Sequence, residues 1–150
     1  MKKILLPIDG SPRSLRAIQV AKQTFLPEET EMTILMVTPE PRPSKLTDEN
    51  DEVRPVEEHE DIIVDPQTAE ESRLLLDSFA KLLPGFKVDV AQRFGSPGPE
   101  IIQFAKDGGF DSILMTRSSR GPIRKLGSVA TYIVRNASFL DVLVMREEDD

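Results

Sequence analysis

Glycine, serine and arginine are concentrated in one short stretch near the C-terminal end, TRSSRGPIRKLGSVA, which spans residues 116–130. Glycine lets a ligand approach the backbone, serine hydroxyls donate hydrogen bonds, and arginine carries a fixed positive charge. The stretch joins an apolar run to a helix-like run, and a helix N-terminus adds backbone N–H groups that favour anions. These properties together predict a phosphate-binding loop. The alternative is a solvated loop whose cations balance acidic charge elsewhere in the chain.

Two further segments carry polar groups at the ends of predicted strands. Asp9 follows the first predicted strand, where its carboxylate could accept two hydrogen bonds from a ribose diol or hold a cation. It could equally cap the helix that begins at Pro12, alone or together with Ser11. Val37 ends the second predicted strand, and its backbone N–H and C=O could read an adenine edge. A plain core valine is the alternative at that position.

Regular secondary structure is needed to bring these segments together. Short apolar runs predict strands at 3–9, 31–37, 86–94, 110–116 and 141–145. Helical spacing predicts helices from Pro12 to about Phe25, from Pro66 to about Leu83, from Pro99 through Lys106, and from Gly127 and Ser128 onwards. The predicted inward faces of the first two helices comprise Leu15, Ile18, Ala21 and Phe25, and Leu75, Phe79 and Leu82.

Alternating strands and helices predict one α/β domain over residues 1–150, with an open parallel sheet covered by helices on both faces. In such sheets, ligands bind beyond the carboxyl ends of the strands, where the strand order reverses. We therefore expect Pro7, Ile8 and Asp9, the end of the second strand, and residues 115–128 to meet at one edge.

The net charge of −7 is localised. Nine acidic and three basic residues lie between Glu40 and Asp61, so six of the seven net negative charges belong to a proline-rich insertion at about 39–64. Duplex nucleic acid is therefore an improbable partner, because its binding needs many cations that face phosphates. His59 lies inside the insertion between two glutamates, where a solvated loop residue is the expected role.

Several other functional classes are excluded by what the chain lacks. It has no cysteine, so disulfides and thiolate sites are excluded. No apolar run reaches the roughly 18 residues that a membrane span needs. The apolar run after Lys2 and Lys3 is too short for a signal peptide, so we expect a cytoplasmic protein. The chain has no Gly-x-Ser-x-Gly elbow, and no catalytic set is apparent.

Four stretches occur in a characteristic order: KKILLPIDGSPRSLRAIQVA, TILMVTP, FGSPGPEIIQFAKDGGFDSILMTR and LGSVATYIVRNASFLDVLVM. Their order and spacing resemble those of the universal stress proteins over essentially the whole chain. The resemblance implies an adenine nucleotide alpha hydrolase-like fold with five parallel strands in the order 3-2-1-4-5. It also implies a homodimer paired through the last strand, here 141–145.

One branch of that family binds ATP through a motif of Gly, two residues, Gly, nine residues, and Gly followed by Ser or Thr. The resemblance places Asp9 near the ribose, Ile8 and Val37 around the adenine, and Met115 just before the first motif glycine. Gly127, Ser128 and Val129 match the closing residues that meet the phosphates. The full predicted nucleotide-binding set is Pro7, Ile8, Asp9, Val37, Met115, Thr116, Arg117, Ser118, Ser119, Gly121, Gly127, Ser128 and Val129.

This chain departs from the motif in its first half. Thr116 and Ser119 stand where the first two glycines would be, and seven residues rather than nine separate Ser119 from Gly127. Gly121 could restore flexibility after a shift in register. Arg117 and Arg120 could replace lost amide contacts with charge-assisted hydrogen bonds, which are individually stronger.

These observations leave three functions open. The first is a homodimeric stress-response protein that binds ATP or a related adenine nucleotide, with Mg²⁺ or Mn²⁺ bridging the phosphates. The second is a stress protein that binds no nucleotide and acts through contacts with a protein partner that the sequence does not identify. A slow ATPase ranks last, because no candidate base stands in the loop, so we do not expect an enzyme.

Overall fold

The computed structural model describes residues 1–9, 12–38, 69–116 and 127–145. The predicted insertion at 39–64, with His59, lies outside the described residues. So do Gly10, Ser11 and most of the predicted phosphate loop.

Five parallel strands form one sheet, and the strand order is β3-β2-β1-β4-β5, which confirms the predicted topology. The strands are β1 (Lys2–Ile8), β2 (Thr30–Thr38), β3 (Lys87–Phe94), β4 (Ser112–Thr116) and β5 (Asp141–Met145). The chain builds outward from β1 to β3 and then returns to the other side of β1 for β4. The strand order therefore reverses between β1 and β4.

Four α-helices connect the strands among the described residues. They are α1 (Pro12–Thr24), α2 (Ala69–Ala80), α3 (Pro97–Gly108) and α4 (Ser128–Asn136), and a 3-10 turn spans Pro27–Glu29. Helix α1 begins at Pro12 as predicted, because the fixed φ and missing N–H of proline suit the first helical position.

Helix α3 begins two residues earlier than the sequence predicts. Ser96 has an extended backbone and Pro97, not Pro99, takes the first helical position. The predicted end of this helix is confirmed at Gly109, whose φ of 66° is left-handed and whose N–H donates to the carbonyls of Ala105 and Lys106.

The sheet carries a hydrophobic core on each of its two faces, which confirms the prediction of helices on both faces. Successive side chains of a strand point to opposite faces, so both sets of strand residues are apolar. One core joins the sheet to α1 and α2 and includes Ile4, Leu6, Ile18, Ile34 and Leu76. The other joins the sheet to α3 and α4 and includes Leu5, Leu35, Ile101, Ile113 and Ile133.

Two predicted inward residues are wrong. Leu15 is 41% exposed, because α1 packs on the sheet through the adjacent stripe of Ser14, Ala17, Ile18 and Ala21. Small residues in that stripe let the helix lie close to the sheet and leave Leu15 at its side. Leu82 is also exposed while Leu83 is buried, because α2 ends at Ala80 and helical spacing does not continue beyond it.

Lys3 ties the N-terminal end of the sheet to the end of α3. Its backbone N–H donates to Oδ2 of Asp111 at 2.8 Å, and its Nζ donates to the Gly108 carbonyl at 2.6 Å. The same Nζ lies 4.9 Å from the centre of the Phe110 ring. A cation at this position also interacts favourably with the C-terminal end of the helix dipole.

Replacing Lys3 with methionine should therefore destabilise the fold without changing the pairing of the strands. We expect the free energy of unfolding to fall by about 1 to 2 kcal/mol, from the lost charged hydrogen bond and cation–π contact. Urea denaturation measures the change. Lys2→Met is the control, because Lys2 is exposed on the same strand. Equal urea midpoints for Lys3→Met and Lys2→Met would contradict a stabilising role for the Lys3 contacts.

Candidate functional site

The strand order reverses between β1 and β4, and this reversal leaves a crevice between the carboxyl ends of the two strands. The β1–β4 ladder pairs Ile4 with Ser112 and Leu5 with Ile113. Pro7, two residues further, has no backbone N–H to extend that ladder. The β1–β2 pairing, in contrast, continues to Ile8 and Met36. The carboxyl ends of β1 and β4 therefore form the edge where a doubly wound sheet binds its ligands.

Asp9 stands at the mouth of this crevice and is held by Ser14. The Asp9 N–H donates to Ser14 Oγ at 3.2 Å, and the same hydroxyl donates to Oδ1 of Asp9 at 3.2 Å. Ser14 is 2% exposed in the first turn of α1, whereas Asp9 is exposed. The carboxylate therefore accepts a hydrogen bond from a side chain in the first turn of α1 and still reaches solvent, where a ligand could meet it.

Ser14 is a site residue that the sequence analysis missed. Its side chain fixes the Asp9 carboxylate through a reciprocal pair of hydrogen bonds. The available signal was a serine in the first turn of a predicted helix, where hydroxyl side chains commonly bond to preceding polar groups. That signal does not distinguish Ser14 from Ser11 as the partner of Asp9.

Val37 directs its backbone toward β1 and its side chain into the core. Gly95 N–H donates to the Thr38 carbonyl at 2.9 Å, so the backbone groups of Thr38 face β3. Neighbouring residues of a strand direct their backbone groups to opposite sides, and those of Val37 therefore face β1. Because Ile8 pairs with Met36, the next position along β1 is Asp9, beside Val37. The Val37 side chain is buried in the core under α3 and α4.

The first turn of α4 adds backbone donors at the same sheet edge. Gly127 is its N-cap with an extended backbone (φ −72°, ψ 171°), and glycine has no side chain that could cap the helix. The first helical hydrogen bond runs from Thr131 N–H to the Gly127 carbonyl at 2.9 Å. The N–H groups of Ser128 and Val129 precede that bond and point out of the helix end. The positive end of the helix dipole makes this position favourable for an anion.

Met115 and Thr116 end β4 next to these groups. Met115 is buried in the same core as Val37, and Val129 packs against that core. Since side chains alternate along a strand, Thr116 faces the side of the sheet covered by α1. A β-branched side chain therefore stands at the position that the sequence resemblance assigns to the first motif glycine.

The structure describes nine of the thirteen predicted residues, and these nine lie at or immediately beside the ends of β1, β2 and β4 and the start of α4. The predicted residues outside the described part of the chain are Arg117, Ser118, Ser119 and Gly121. Their roles stay predictions.

 Nine predicted residues therefore lie in the described part of the chain, and Ser14 joins them as the tenth residue of the site. The nine are Pro7, Ile8, Asp9, Val37, Met115, Thr116, Gly127, Ser128 and Val129.

Within the described ranges, no group of three or more histidine, aspartate or glutamate side chains could hold a metal ion. No helix in the described part of the chain is long and apolar enough to cross a membrane.

Comparison with known proteins gives the following matches. The sequence profile of the Universal stress protein family matches residues 1–146. The solved structure of hypothetical protein MJ0577 is 27% identical, with a TM-score of 0.76 over 99% of this chain and 98% of that one. An Arabidopsis thaliana universal stress protein family protein with AMP bound is 16% identical, with a TM-score of 0.70 over 100% and 94%. A universal stress protein in complex with cAMP is 19% identical, with a TM-score of 0.63 over 97% and 96%. No curated protein sequence matches the chain significantly.

Proposed function

Because the chain belongs to the universal stress protein family, we propose that it is a homodimeric stress-response protein that binds an adenine nucleotide in the crevice between β1 and β4. The observation that carries the proposal is the placement of three kinds of group at one sheet edge. They are the Asp9 carboxylate, the backbone of Val37 and the N-terminus of α4. In that order, they are suited to bind the ribose, the base and the phosphate of a nucleotide.

The base and the sugar would be held by β1 and β2. Adenine presents a hydrogen-bond donor beside an acceptor, and the backbone of Val37 offers the complementary pair on the side that faces β1. A ribose diol donates hydrogen bonds, and the exposed Asp9 carboxylate accepts them. Ser14 fixes the carboxylate in advance, so little side-chain freedom is lost on binding.

The phosphates would lie over the first turn of α4, where backbone N–H groups and the helix dipole favour negative charge. A Mg²⁺ or Mn²⁺ ion would enter together with ATP and partly neutralise its phosphate charge, because the described residues offer no cluster of carboxylates that could hold a metal ion by itself. Two of the similar structures, which have AMP and cAMP bound, support an adenine nucleotide as the ligand.

The loop arginines should contribute to phosphate affinity and not to base recognition. We expect Arg117→Ala or Arg120→Ala to weaken ATP binding by about tenfold, the loss of one charge-assisted hydrogen bond, and to leave adenosine binding unchanged. Calorimetric titration with both ligands measures this. Lys22→Ala is the control, because Lys22 is exposed in the last turn of α1, at the opposite end of that helix from the site. Parallel losses for ATP and adenosine would count against the arginine role.

Dimerisation through β5 is the second part of the proposal. β5 is one edge of the sheet, and its Leu143 is 40% exposed, with Phe139 also exposed beside it. The other edge strand, β3, exposes three charged side chains, Lys87, Asp89 and Arg93, besides Phe94 at its end, whereas β5 exposes one charged side chain, Asp141. Charged side chains on an edge strand oppose pairing with another chain, whereas an apolar edge favours it. The contrast between the two edges supports β5 as the dimer edge.

A stress protein that binds no nucleotide is the second candidate, and Thr116 favours it. The threonine is half-buried at the end of β4, where its side chain would crowd a phosphate that approaches the backbone. Such a protein would act through contacts with another protein.

One experiment separates the two candidates. Protein purified without added nucleotide is analysed by mass spectrometry for bound ligand, and is then titrated calorimetrically with ATP, AMP and adenosine. Saturable binding of a nucleotide at one site per chain supports the proposed function. Absence of bound nucleotide together with no heat of binding for all three ligands would leave the protein-contact candidate.

A further inference from the structure

Helices α3 and α4 touch through a contact that only glycine permits. Gly98 is buried in the first turn of α3, against the ring of Tyr132 in α4. A Cβ atom at Gly98 would lie 2.7 Å from Cδ1, 2.8 Å from Cγ and 3.2 Å from Cβ of Tyr132. The Cδ1 and Cγ distances are shorter than carbon atoms tolerate, so a Cβ at Gly98 requires Tyr132 to shift away from it.

The contact lies at the same edge of the sheet as the candidate site. Helix α3 starts directly after the carboxyl end of β3, and Tyr132 is one turn after Ser128, the first residue of α4. The hydrogen bond from Thr131 N–H to the Gly127 carbonyl joins this turn to the N-cap. A displacement of Tyr132 away from α3 would therefore carry the first-turn N–H groups with it.

We propose that the Gly98–Tyr132 contact positions the N-terminus of α4 for the phosphate, and that both are positioning residues for nucleotide binding. This inference rests on the proposed function. Hydrogen bonds from N–H to oxygen occupy a narrow range of distances, so a small displacement of the helix end weakens them. Adenosine lacks the phosphate, and its binding depends on Asp9 and Val37. The displacement should therefore leave the affinity for adenosine unchanged.

The test compares the Kd for AMP with the Kd for adenosine by calorimetry. We expect Gly98→Ala to raise the Kd for AMP by about tenfold, the loss of one hydrogen bond to a charged group, while the Kd for adenosine stays unchanged. Gly108→Ala is the matched control. It lies in the last turn of the same helix, where a Cβ would meet the Phe110 ring at 2.6 Å, far from the site. This variant should also be destabilised but should keep the parental ratio of the two Kd values.

A double-mutant cycle with Tyr132→Ala tests whether the two residues act together. Tyr132 is 39% exposed, so its removal is compatible with folding even if Gly98→Ala does not yield folded protein. We expect Tyr132→Ala to raise the Kd for AMP selectively, because the first turn of α4 loses its support, and Gly98→Ala to add nothing further in that background.

The outcomes separate this inference from the proposed function. If the parent binds neither AMP nor adenosine, the proposed function fails and the inference fails with it. If the parent binds AMP more tightly than adenosine and both single variants keep that preference, only the positioning role of Gly98 and Tyr132 is overturned. Additive effects in the double variant would also overturn it.

Discussion

Replacing Asp9 with alanine is expected to weaken adenine-nucleotide binding by about 30- to 150-fold, or about 2 to 3 kcal/mol, because hydrogen bonds from the ribose to a charged carboxylate are lost. The loss should be equal for ATP, AMP and adenosine, since all three carry the ribose. Calorimetric titration of each ligand gives the three ratios. A Kd equal to that of the parent would exclude Asp9 from the site.

Asp9→Ala also removes the acceptor for the Ser14 hydroxyl, which is buried. A modest fall in stability, of about 1 kcal/mol, is therefore expected in the ligand-free protein. Asp9→Asn separates the two effects, because an amide oxygen can still accept from Ser14 while the negative charge is lost. We expect Asp9→Asn to retain stability and still lose most of the affinity. Glu28→Ala, an exposed acid in the 3-10 turn before β2, controls for net charge.

Replacing Leu143 with lysine is expected to convert the proposed dimer to a monomer. In a twofold-symmetric interface each substitution occurs twice, so two charges would be buried in an apolar contact. The penalty should raise the dimer dissociation constant by about 100-fold or more. Sedimentation velocity across a concentration series measures the change.

Leu74→Lys is the control for the Leu143 variant, since Leu74 is 62% exposed on α2, away from β5. It should leave the oligomeric state unchanged. Circular dichroism would confirm that both variants keep the parental fold. A parent that sediments as a monomer at all concentrations, or a Leu143→Lys variant that stays dimeric, would contradict pairing through β5.

The strand order was predictable because family resemblance and strand–helix alternation agree. The apolar runs that predicted the five strands overlap the observed strands throughout. The helix faces were less predictable. Leu15 and Leu82 fit a helical stripe in the sequence, yet Ala17 and Leu83 are the buried residues. Periodicity locates a stripe only to within a residue, and the packing distance between helix and sheet decides which neighbour is buried.

The residues of the candidate site were also only partly predictable from the sequence. Asp9, Val37 and Gly127 were identifiable from residue type and position at the ends of predicted elements. The roles of Ser14, Gly98 and Tyr132 were not. A hydroxyl that fixes a carboxylate and a ring that lies on a glycine depend on which side chains meet across elements, and the linear spacing does not contain that information.

By itself, the sequence determined the class of the fold, because the alternation of apolar strands with amphipathic helices allows few other arrangements. It also determined which residue types could recognise a nucleotide. Tertiary structure alone decided where those groups lie relative to one another. The register of β1 against β2 sets Asp9 beside Val37, and the bare backbone of Gly98 sets how closely α4 approaches α3. Both depend on contacts between residues distant in the chain, which form only when the sheet and its helices pack together.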